Sequence, residues 1–257
     1  MYLKSALQLS LTSTLLPLTP LNSTSPSTSP TPQSNTEPGY SINTPSTVSG
    51  TPHFGQNYAV LNLDLIDGLV SNVNETDAGK IWINATANWI NAVHKLDSPP
   101  LNIYTRIYFT ESWKPEVTAD TPFSKVVTPL GNITASDPKS QIYPAFQPAG
   151  NRKDAVLRKS RYYAGDANSL EEILRVQGVD TVILSGIRTS GVVLSTVFRL
   201  FDLDYNIYII SNNTLETSSN AQTINDIILT GILPKMPVGV ISLEQAIAGI
   251  KRSASHD

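Results

Sequence analysis

Residues 178–196 have the sequence GVDTVILSGIRTSGVVLST, and the fold is easiest to predict from this stretch. A short apolar run over residues 181–185 is followed by small and hydroxyl residues and then by a helical pattern. This passage is typical of a buried parallel strand that turns directly into a helix. Because helix N-termini attract anions, backbone N–H groups at Thr189, Ser190 and Gly191 are candidate donors to a substrate oxygen. Tight packing between strand and helix also requires small residues, so a purely structural interpretation stays open.

Apolar runs on both sides of this stretch have the length and composition of further buried strands. With residues 181–185 they make six, the others being 58–65, 101–109, 155–158, 206–210 and 238–241. Helical patterns separate the runs, most clearly a stripe of apolar residues from Ala78 to Leu96 that follows Thr76 and Asp77 as candidate caps. The alternation predicts an α/β, three-layer, doubly wound domain whose six-stranded parallel sheet has helices on both faces.

Capping signals predict where two later helices begin. Asn168 with Glu171, and Ser242 with Gln245, have the spacing of capping boxes, and Gly178 predicts the end of the first of these helices. In contrast, residues 110–151 are rich in proline and show no clear period. They predict a long loop on the rim of the sheet, and loops of that length are usually functional or disordered.

The N-terminal segment has a different composition from the rest of the chain. Of the first 50 residues, 27 are Ser, Thr or Pro, so this segment cannot bury a core. We expect a disordered arm over residues 1–53 and the folded domain over residues 54–257. Residues 1–20 resemble a secretory signal peptide, although Ser and Thr interrupt its apolar stretch, and the sequence has five Asn-x-Ser/Thr sequons. Secreted and cytoplasmic locations both stay open.

The composition of the whole chain excludes several classes of function. With 18 Lys and Arg against 21 Asp and Glu, a nucleic-acid partner is not expected. No apolar run approaches the roughly 18 residues that a membrane span needs. The sequence has no Cys, which excludes disulfides, zinc–thiolate sites and a thiolate nucleophile. We predict neither a metal nor a cofactor.

Polar residues at the carboxyl ends of two strands are candidate site residues, because ligands of doubly wound folds bind there. Asp64 ends the first apolar strand, where a carboxyl group can serve as an acid or a base. Lys159 and Arg161 belong to a cationic cluster after residues 155–158 that could hold a substrate carboxylate. A carboxylate that caps a turn and cations that face solvent are the structural alternatives.

The three segments together resemble the isochorismatase-like hydrolase superfamily, which also contains nicotinamidases and other cysteine amidohydrolases. Residues 58–70, YAVLNLDLIDGLV, resemble its opening strand and place Asp64 at the catalytic Asp. Residues 159–170, KSRYYAGDANSL, place Lys159 at the catalytic Lys. Residues 178–196 are the strongest match, but Val192 stands where the amidohydrolases have their nucleophilic Cys.

The resemblance also implies a topology and an assembly. It implies the strand order 3-2-1-4-5-6, in which Lys159 ends a strand two places from that of Asp64, roughly 10 Å away at the usual strand spacing. The long Lys159 side chain must then reach inward. Relatives often pair or form tetramers, which makes a homo-oligomer a candidate assembly.

The missing Cys separates the activities that the resemblance allows. A valine cannot attack a carbonyl, and Ser190 and Ser195 are out of register with the nucleophile position and have no His nearby in sequence. Nicotinamidase activity is disfavoured because residues 107–110 offer no Asp or His metal ligands. Isochorismatases proper also lack the Cys, because cleavage of a vinyl ether needs no covalent nucleophile.

The resemblance therefore implies Cys-independent hydrolysis of a small carboxylate substrate such as a vinyl ether. Asp64 would be the general acid, Lys159 and Arg161 would bind the substrate carboxylate, and residues 189–191 would line the pocket with backbone donors. The alternative is a catalytically inactive family member that binds a small acid or a protein partner. Whether the chain is an enzyme stays open, and the presence of both Asp64 and Lys159 in a chain without the Cys favours catalysis.

Overall fold

The computed structural model describes residues 39–40, 46–150, 154–217 and 219–255. The predicted signal peptide and most of the predicted arm lie outside the described residues. Residues 46–53 fall within the range predicted for the arm, and several of their backbone groups bond to the C-terminal part of the chain. Thr47 N–H donates to Val240 O, and Gln245 donates its side-chain amide to Val48 O.

Six parallel strands form the sheet, as the alternating pattern predicts. They are β2 (Tyr58–Leu63), β3 (Leu101–Ile107), β4 (Asp154–Lys159), β5 (Thr181–Ile187), β6 (Asn206–Glu216) and β7 (Gly239–Ile241). Their spatial order is β4-β3-β2-β5-β6-β7, which is 3-2-1-4-5-6 when counted from β2 and confirms the expected order. A two-residue strand, β1 (Gly39–Tyr40), pairs antiparallel with the end of β6.

Helices cover both faces of the sheet, so the three-layer prediction is also confirmed. The helices are α1 (Asp67–Val70), α2 (Asp77–His94), α3 (Pro122–Val127), α4 (Leu170–Val176), α5 (Leu194–Phe201), α6 (Ala221–Asp226) and α7 (Leu243–Ala254). Successive side chains of a strand point to opposite faces. Val60 of β2 accordingly packs in one core with Trp82 of α2, whereas Leu61 packs in a second core with Leu174 of α4 and Val197 of α5.

The helix ends follow the capping signals in most cases. The Thr76 hydroxyl accepts from Gly79 N–H at the start of α2, and Ser242 with Gln245 forms a complete capping box at α7. Asn168 and Glu171 form a related cap and not a complete capping box, because Glu171 instead bonds to the side chains of Tyr163 and Arg199. The Asn168 side chain still accepts from Leu170 N–H.

The segment predicted as a long rim loop contains α3 and several short 3-10 turns. It lies at the carboxyl edge of the sheet, where Phe109 and Thr134 form an isolated parallel bridge. None of the described helices is both long enough and apolar enough to cross a membrane.

Candidate active site

Asp64 lies immediately after β2, the central strand, and is buried. Its backbone has φ 58°, in the left-handed region that non-glycine residues rarely occupy. Thr105 of β3 holds it on both sides: the Thr105 hydroxyl accepts from Asp64 N–H at 3.0 Å and donates to Asp64 Oδ1 at 2.8 Å. A residue held in this conformation by its neighbours is typical of functional sites.

Lys159 ends β4 and reaches across the end of β3 to Asp64. The distance from Lys159 Nζ to Asp64 Oδ2 is 2.6 Å, and the two side chains are only 1% and 6% exposed. The ammonium also donates to Arg161 O at 2.8 Å and to Tyr162 O at 3.3 Å. Its three hydrogens therefore match three protein oxygens. The inward reach expected of Lys159 is present, but the side chain is directed to Asp64 and to the 160–163 turn.

A cavity of about 320 Å³ lies at the carboxyl edge of the sheet, and Asp64, Lys159 and Val192 all line it. Much of its remaining wall is apolar. The apolar side chains come from the segment after β2, from the ends of β3 and β5, and from α3 with the turn after it, and include Leu69, Val73, Ile107, Phe123, Val127, Leu130 and Ile187. Asn72, Thr76 and Thr217 add polar groups, so the wall offers both hydrocarbon and hydrogen-bonding groups to a small molecule.

The turn after β5 is organised differently from the sequence-based expectation. Residues 189–193 form a π-helical turn that leads into α5. Ser190 N–H donates to Glu216 Oε2 at 2.9 Å, Gly191 N–H donates to Arg188 O at 3.2 Å, and the Thr189 hydroxyl bonds to Asn225. The lining of the cavity includes none of the three residues Thr189, Ser190 and Gly191.

Arg161 is likewise engaged by the protein. Its guanidinium donates to Ser160 O at 3.0 Å and to Glu116 O at 2.7 Å, and it lies 4.8 Å from the centre of the Phe123 ring. Arg161 does not line the cavity, although Tyr162 beside it does. Its bonds connect the turn after β4 to the segment that carries α3.

The comparisons with known proteins agree with this architecture. The model of the isochorismatase domain family matches residues 58–226, from the start of β2 to the end of α6 and well over half of the chain. The chain belongs to the isochorismatase family. Among curated proteins, none matches it significantly.

Solved structures share the isochorismatase-like fold of this chain. An isochorismatase family protein from Burkholderia thailandensis has a TM-score of 0.60 at 23% identity, with 79% of this chain and 100% of that chain covered. A cysteine hydrolase from Pseudomonas syringae pv. phaseolicola has a TM-score of 0.64 at 17% identity, covering 80% and 100%. N-carbamoylsarcosine amidase from Thermoplasma acidophilum has a TM-score of 0.56 at 17% identity, covering 73% and 97%.

Three residues of the site in this isochorismatase-family chain were not singled out from the sequence: Thr105, Arg188 and Glu216. Arg188 lies within the stretch quoted first and one residue after β5, a position that could have drawn attention to it. Thr105 lies two residues before the end of β3, where a hydroxyl in an apolar strand is a weak signal. Glu216 offered no signal, because the apolar run from which β6 was predicted ends at Ile210.

The described residues of this isochorismatase-family chain contain no group of three or more His, Asp or Glu side chains placed to hold a metal ion. Residues 107–110 at the end of β3, where a nicotinamidase-type cluster would need its ligands, are Ile, Tyr, Phe and Thr. Among the described residues the charged side chains that line the cavity are Asp64, Lys159 and Arg188. With Glu216, which lies behind Arg188, they form two pairs of opposite charge.

Proposed function

We propose that this chain hydrolyses a small carboxylate substrate, such as a vinyl ether, without a cysteine nucleophile, and that Asp64 is the general acid. The observation that carries the proposal is the contact of 2.6 Å between Asp64 and Lys159 in the wall of a cavity of about 320 Å³. Similar solved structures that are described as a cysteine hydrolase and an amidase support hydrolysis as the class of reaction.

The proposed reaction needs one proton donor and one water. Asp64 transfers its proton to the terminal =CH2 carbon of the vinyl ether, whose π electrons form the new C–H bond, and the carbon that bears the ether oxygen becomes an oxocarbenium ion. Water adds to that carbon and returns a proton to the Asp64 carboxylate. The hemiketal then breaks its C–O bond, and its hydroxyl proton passes to the leaving alcohol. When the carbon that bears the ether oxygen also carries a carboxylate, as in isochorismate, the products are pyruvate and an alcohol, and Asp64 is restored.

The geometry supports a role for Lys159 in holding Asp64 and its proton. The sequence-based hypothesis gave Lys159 the substrate carboxylate, but its three hydrogens already match Asp64 and two backbone carbonyls. A proton that crosses from Lys159 to Asp64 before the reaction can return after water has attacked, so the pair ends the cycle unchanged. We therefore assign Lys159 to positioning Asp64 and supplying its proton.

Val192 stands at the position of the nucleophilic Cys, so the proposed hydrolysis forms no covalent intermediate. Its side chain is buried in the core that contains α4 and α5 and also lines the cavity. It offers no atom that could bond to a substrate carbonyl. A vinyl ether needs no such bond, whereas an amide would need a nucleophile that the cavity wall near Val192 does not provide.

A second candidate is a family member that binds a small acid without turnover. Val192 at the expected nucleophile position and the complete bonding of Lys159 within the protein both favour it. Under this candidate the Asp64–Lys159 pair shapes the cavity and moves no proton.

Pyruvate release from isochorismate by the full chain separates the two candidates. Asp64→Asn removes the proton donor and is compared with Asp67→Asn, which changes a carboxylate three residues away that bonds to Ser71 outside the cavity. We expect turnover in the unmodified chain and in Asp67→Asn, and its loss in Asp64→Asn. Circular dichroism checks that each variant is folded.

Two results would count against the hydrolase. Turnover that survives Asp64→Asn would remove Asp64 from the mechanism. A folded, unmodified chain that releases no pyruvate would overturn the vinyl-ether reaction and leave the binding candidate, which is then tested with unreactive acids.

A further inference from the structure

Arg188 is a second cation at the cavity, and its environment differs from that of Lys159. It follows β5 directly and lines the cavity, while its side chain is 41% exposed. Its nearest charged partner is Glu216, with 3.7 Å between Arg188 Nε and Glu216 Oε1. Within the described parts of the chain, neither terminal amino group of its guanidinium has a protein acceptor. A guanidinium with free parallel donors matches a carboxylate in shape and charge.

Other cations near the site do not have donors to spare. Lys159 gives its hydrogens to Asp64 and to two carbonyls. Arg161 is bonded to two carbonyls, and Arg158 forms an ion pair with Glu116. Neither Arg158 nor Arg161 lines the cavity. Among the described residues, Arg188 is thus the cation at the cavity whose donors can turn to a ligand.

Glu216 explains how Arg188 is held at the rim. It is the last residue of β6, and its side chain is completely buried. Its carboxylate accepts from Ser190 N–H at 2.9 Å and from Thr217 N–H at 2.8 Å, so the buried charge is hydrogen-bonded on both oxygens. The same carboxylate faces the Nε side of Arg188. A negative charge on that side orients the guanidinium and leaves its outer edge open.

The wall of the cavity indicates the rest of the ligand. Leu69, Phe123, Val127 and Leu130 form an apolar part of this wall, and Tyr162 adds a ring next to Phe123 with 5.7 Å between ring centres. An apolar body fits this part of the wall, because transfer of hydrocarbon from water to an apolar surface is favourable.

We propose that Arg188 binds the acidic group of the ligand, that Glu216 is its positioning residue, and that the ligand is a small carboxylate with an apolar or aromatic body. This rests on the proposed use of the cavity for a small acid and is independent of turnover. Ser190 and Gly191 then serve the site indirectly, since the turn that they form is tied to the carboxylate that orients Arg188.

Benzoate and benzamide form a matched pair of probes, because they share a shape and differ in charge. Calorimetric titration of the full chain with each measures the contribution of the carboxylate. We expect benzoate to bind about tenfold or more tightly than benzamide, as a charge-assisted hydrogen bond allows. Arg188→Gln should abolish this preference and leave benzamide binding unchanged, and Arg188→Lys should retain part of it.

Arg199→Gln is the matched control. Arg199 is also a half-exposed arginine paired with a glutamate, Glu171, but it lies on α5 and does not line the cavity. This variant should keep the preference for benzoate. A preference that survives Arg188→Gln, an equal loss in Arg199→Gln, or no preference in the unmodified chain at millimolar ligand would overturn the assignment to Arg188.

Glu216→Gln tests positioning. It should weaken benzoate binding by less than Arg188→Gln and leave benzamide binding unchanged, and it should have no further effect on benzoate when combined with Arg188→Gln. If it weakens both probes equally, or adds to the loss in the double variant, Glu216 acts on the shape of the cavity and the positioning role is wrong.

The outcomes of this experiment and of the turnover experiment are distinguishable. If pyruvate release depends on Asp64 but the preference for benzoate is unchanged in Arg188→Gln, the proposed hydrolase activity stands and this inference is rejected. A preference that depends on Arg188 in a chain without turnover would retain the inference and reject the hydrolase.

Discussion

Two pairs of opposite charge lie at one cavity, and they are built in opposite ways. Asp64 and Lys159 are both buried and are 2.6 Å apart. Glu216 is equally buried, but Arg188 is 41% exposed and its Nε is 3.7 Å from the carboxylate. The first pair is closed, since its donors and acceptors are used within the protein, and the second is open on the side of the cation. A closed pair suits the retention and return of a proton, and an open pair suits the capture of an anion.

Lys159→Met breaks the closed pair and should have the largest effect on stability. It leaves the Asp64 carboxylate buried without its cation, which costs about 3–5 kcal/mol in comparable sites. Urea unfolding followed by the fluorescence of the buried Trp82 and Trp89 measures the change.

Two further variants make that test specific to the buried pair. Lys80→Met removes the cation of an exposed pair with Asp77 and should cost less than about 1 kcal/mol. Replacing both members of the closed pair, as Asp64→Leu with Lys159→Met, should recover part of the loss. If Lys159→Met costs no more than Lys80→Met, the pair is not closed in solution.

Gly186→Ala tests the contact between the ends of β2 and β5. Asp64 of the closed pair follows β2, and Arg188 of the open pair follows β5. Gly186 has φ 151°, and a Cβ atom there would lie 2.3 Å from Leu63 O, next to Asp64. The methyl group must push β5 from β2, so we expect a loss of about 2–3 kcal/mol, as for overpacked cores. Gly178→Ala is the comparison, since a Cβ atom there meets nothing within 4 Å and only its φ of 64° is unfavourable. Equal losses in urea unfolding would show that the close approach to Leu63 is unimportant.

The two members of the open pair should differ in their effects on stability. In Glu216→Gln an amide nitrogen replaces one oxygen, so either Ser190 N–H or Thr217 N–H loses its acceptor, at a cost of about 1–2 kcal/mol. Arg188→Gln should lower the free energy of unfolding by less than about 1 kcal/mol, because the guanidinium is partly exposed and the Glu216 carboxylate keeps both of its N–H donors. A larger loss for Arg188→Gln in the same urea titration would show that the pair is closed after all.

The pair of Glu171 and Arg199 is exposed on both sides and should give the smallest effect. Hydrogen bonds from Arg199 and Tyr163 lower the pKa of Glu171. The stabilisation is therefore present above the pKa of the unfolded chain and is lost as the pH falls through the lowered value of the folded chain. Glu171→Gln should be slightly less stable than the unmodified chain at neutral pH and equally stable in acid. A difference that grows on acidification would reverse the sign of this linkage.

Sequence was most informative where periodicity is tied to burial. The six strands and α2 were predicted because two-sided burial leaves continuous apolar runs and one-sided burial leaves a stripe. Asp64 and Lys159 followed from their places at strand ends, and the structure brings them together. The substrate-binding roles given to residues 189–191 stay a prediction: none of the three lines the cavity, and the backbone donors at Ser190 and Gly191 have acceptors within the protein.

The open pair illustrates what periodicity does not reveal. Beyond Ile210, β6 continues through polar residues to Glu216, and in this part it pairs with the end of β5 and with β1. No apolar pattern marks such a strand, so the carboxylate that faces Arg188 was not anticipated. Similarly, α3 covers the cavity from a proline-rich segment in which no helical stripe is long enough to recognise.

The bonds of Lys159 have a consequence for how this cavity can change in evolution or by design. One ammonium connects Asp64 to the carbonyls of Arg161 and Tyr162, so the acid and the wall that carries Tyr162 share a single anchor. A substitution that widens this wall would also displace the acid. In the described chain no hydrogen bond links α3 to Asp64 or Lys159, and Phe123 of that helix packs on Arg161 and Tyr162. Val126 is therefore the α3 side chain through which a new ligand size can be accommodated while the acid stays in place.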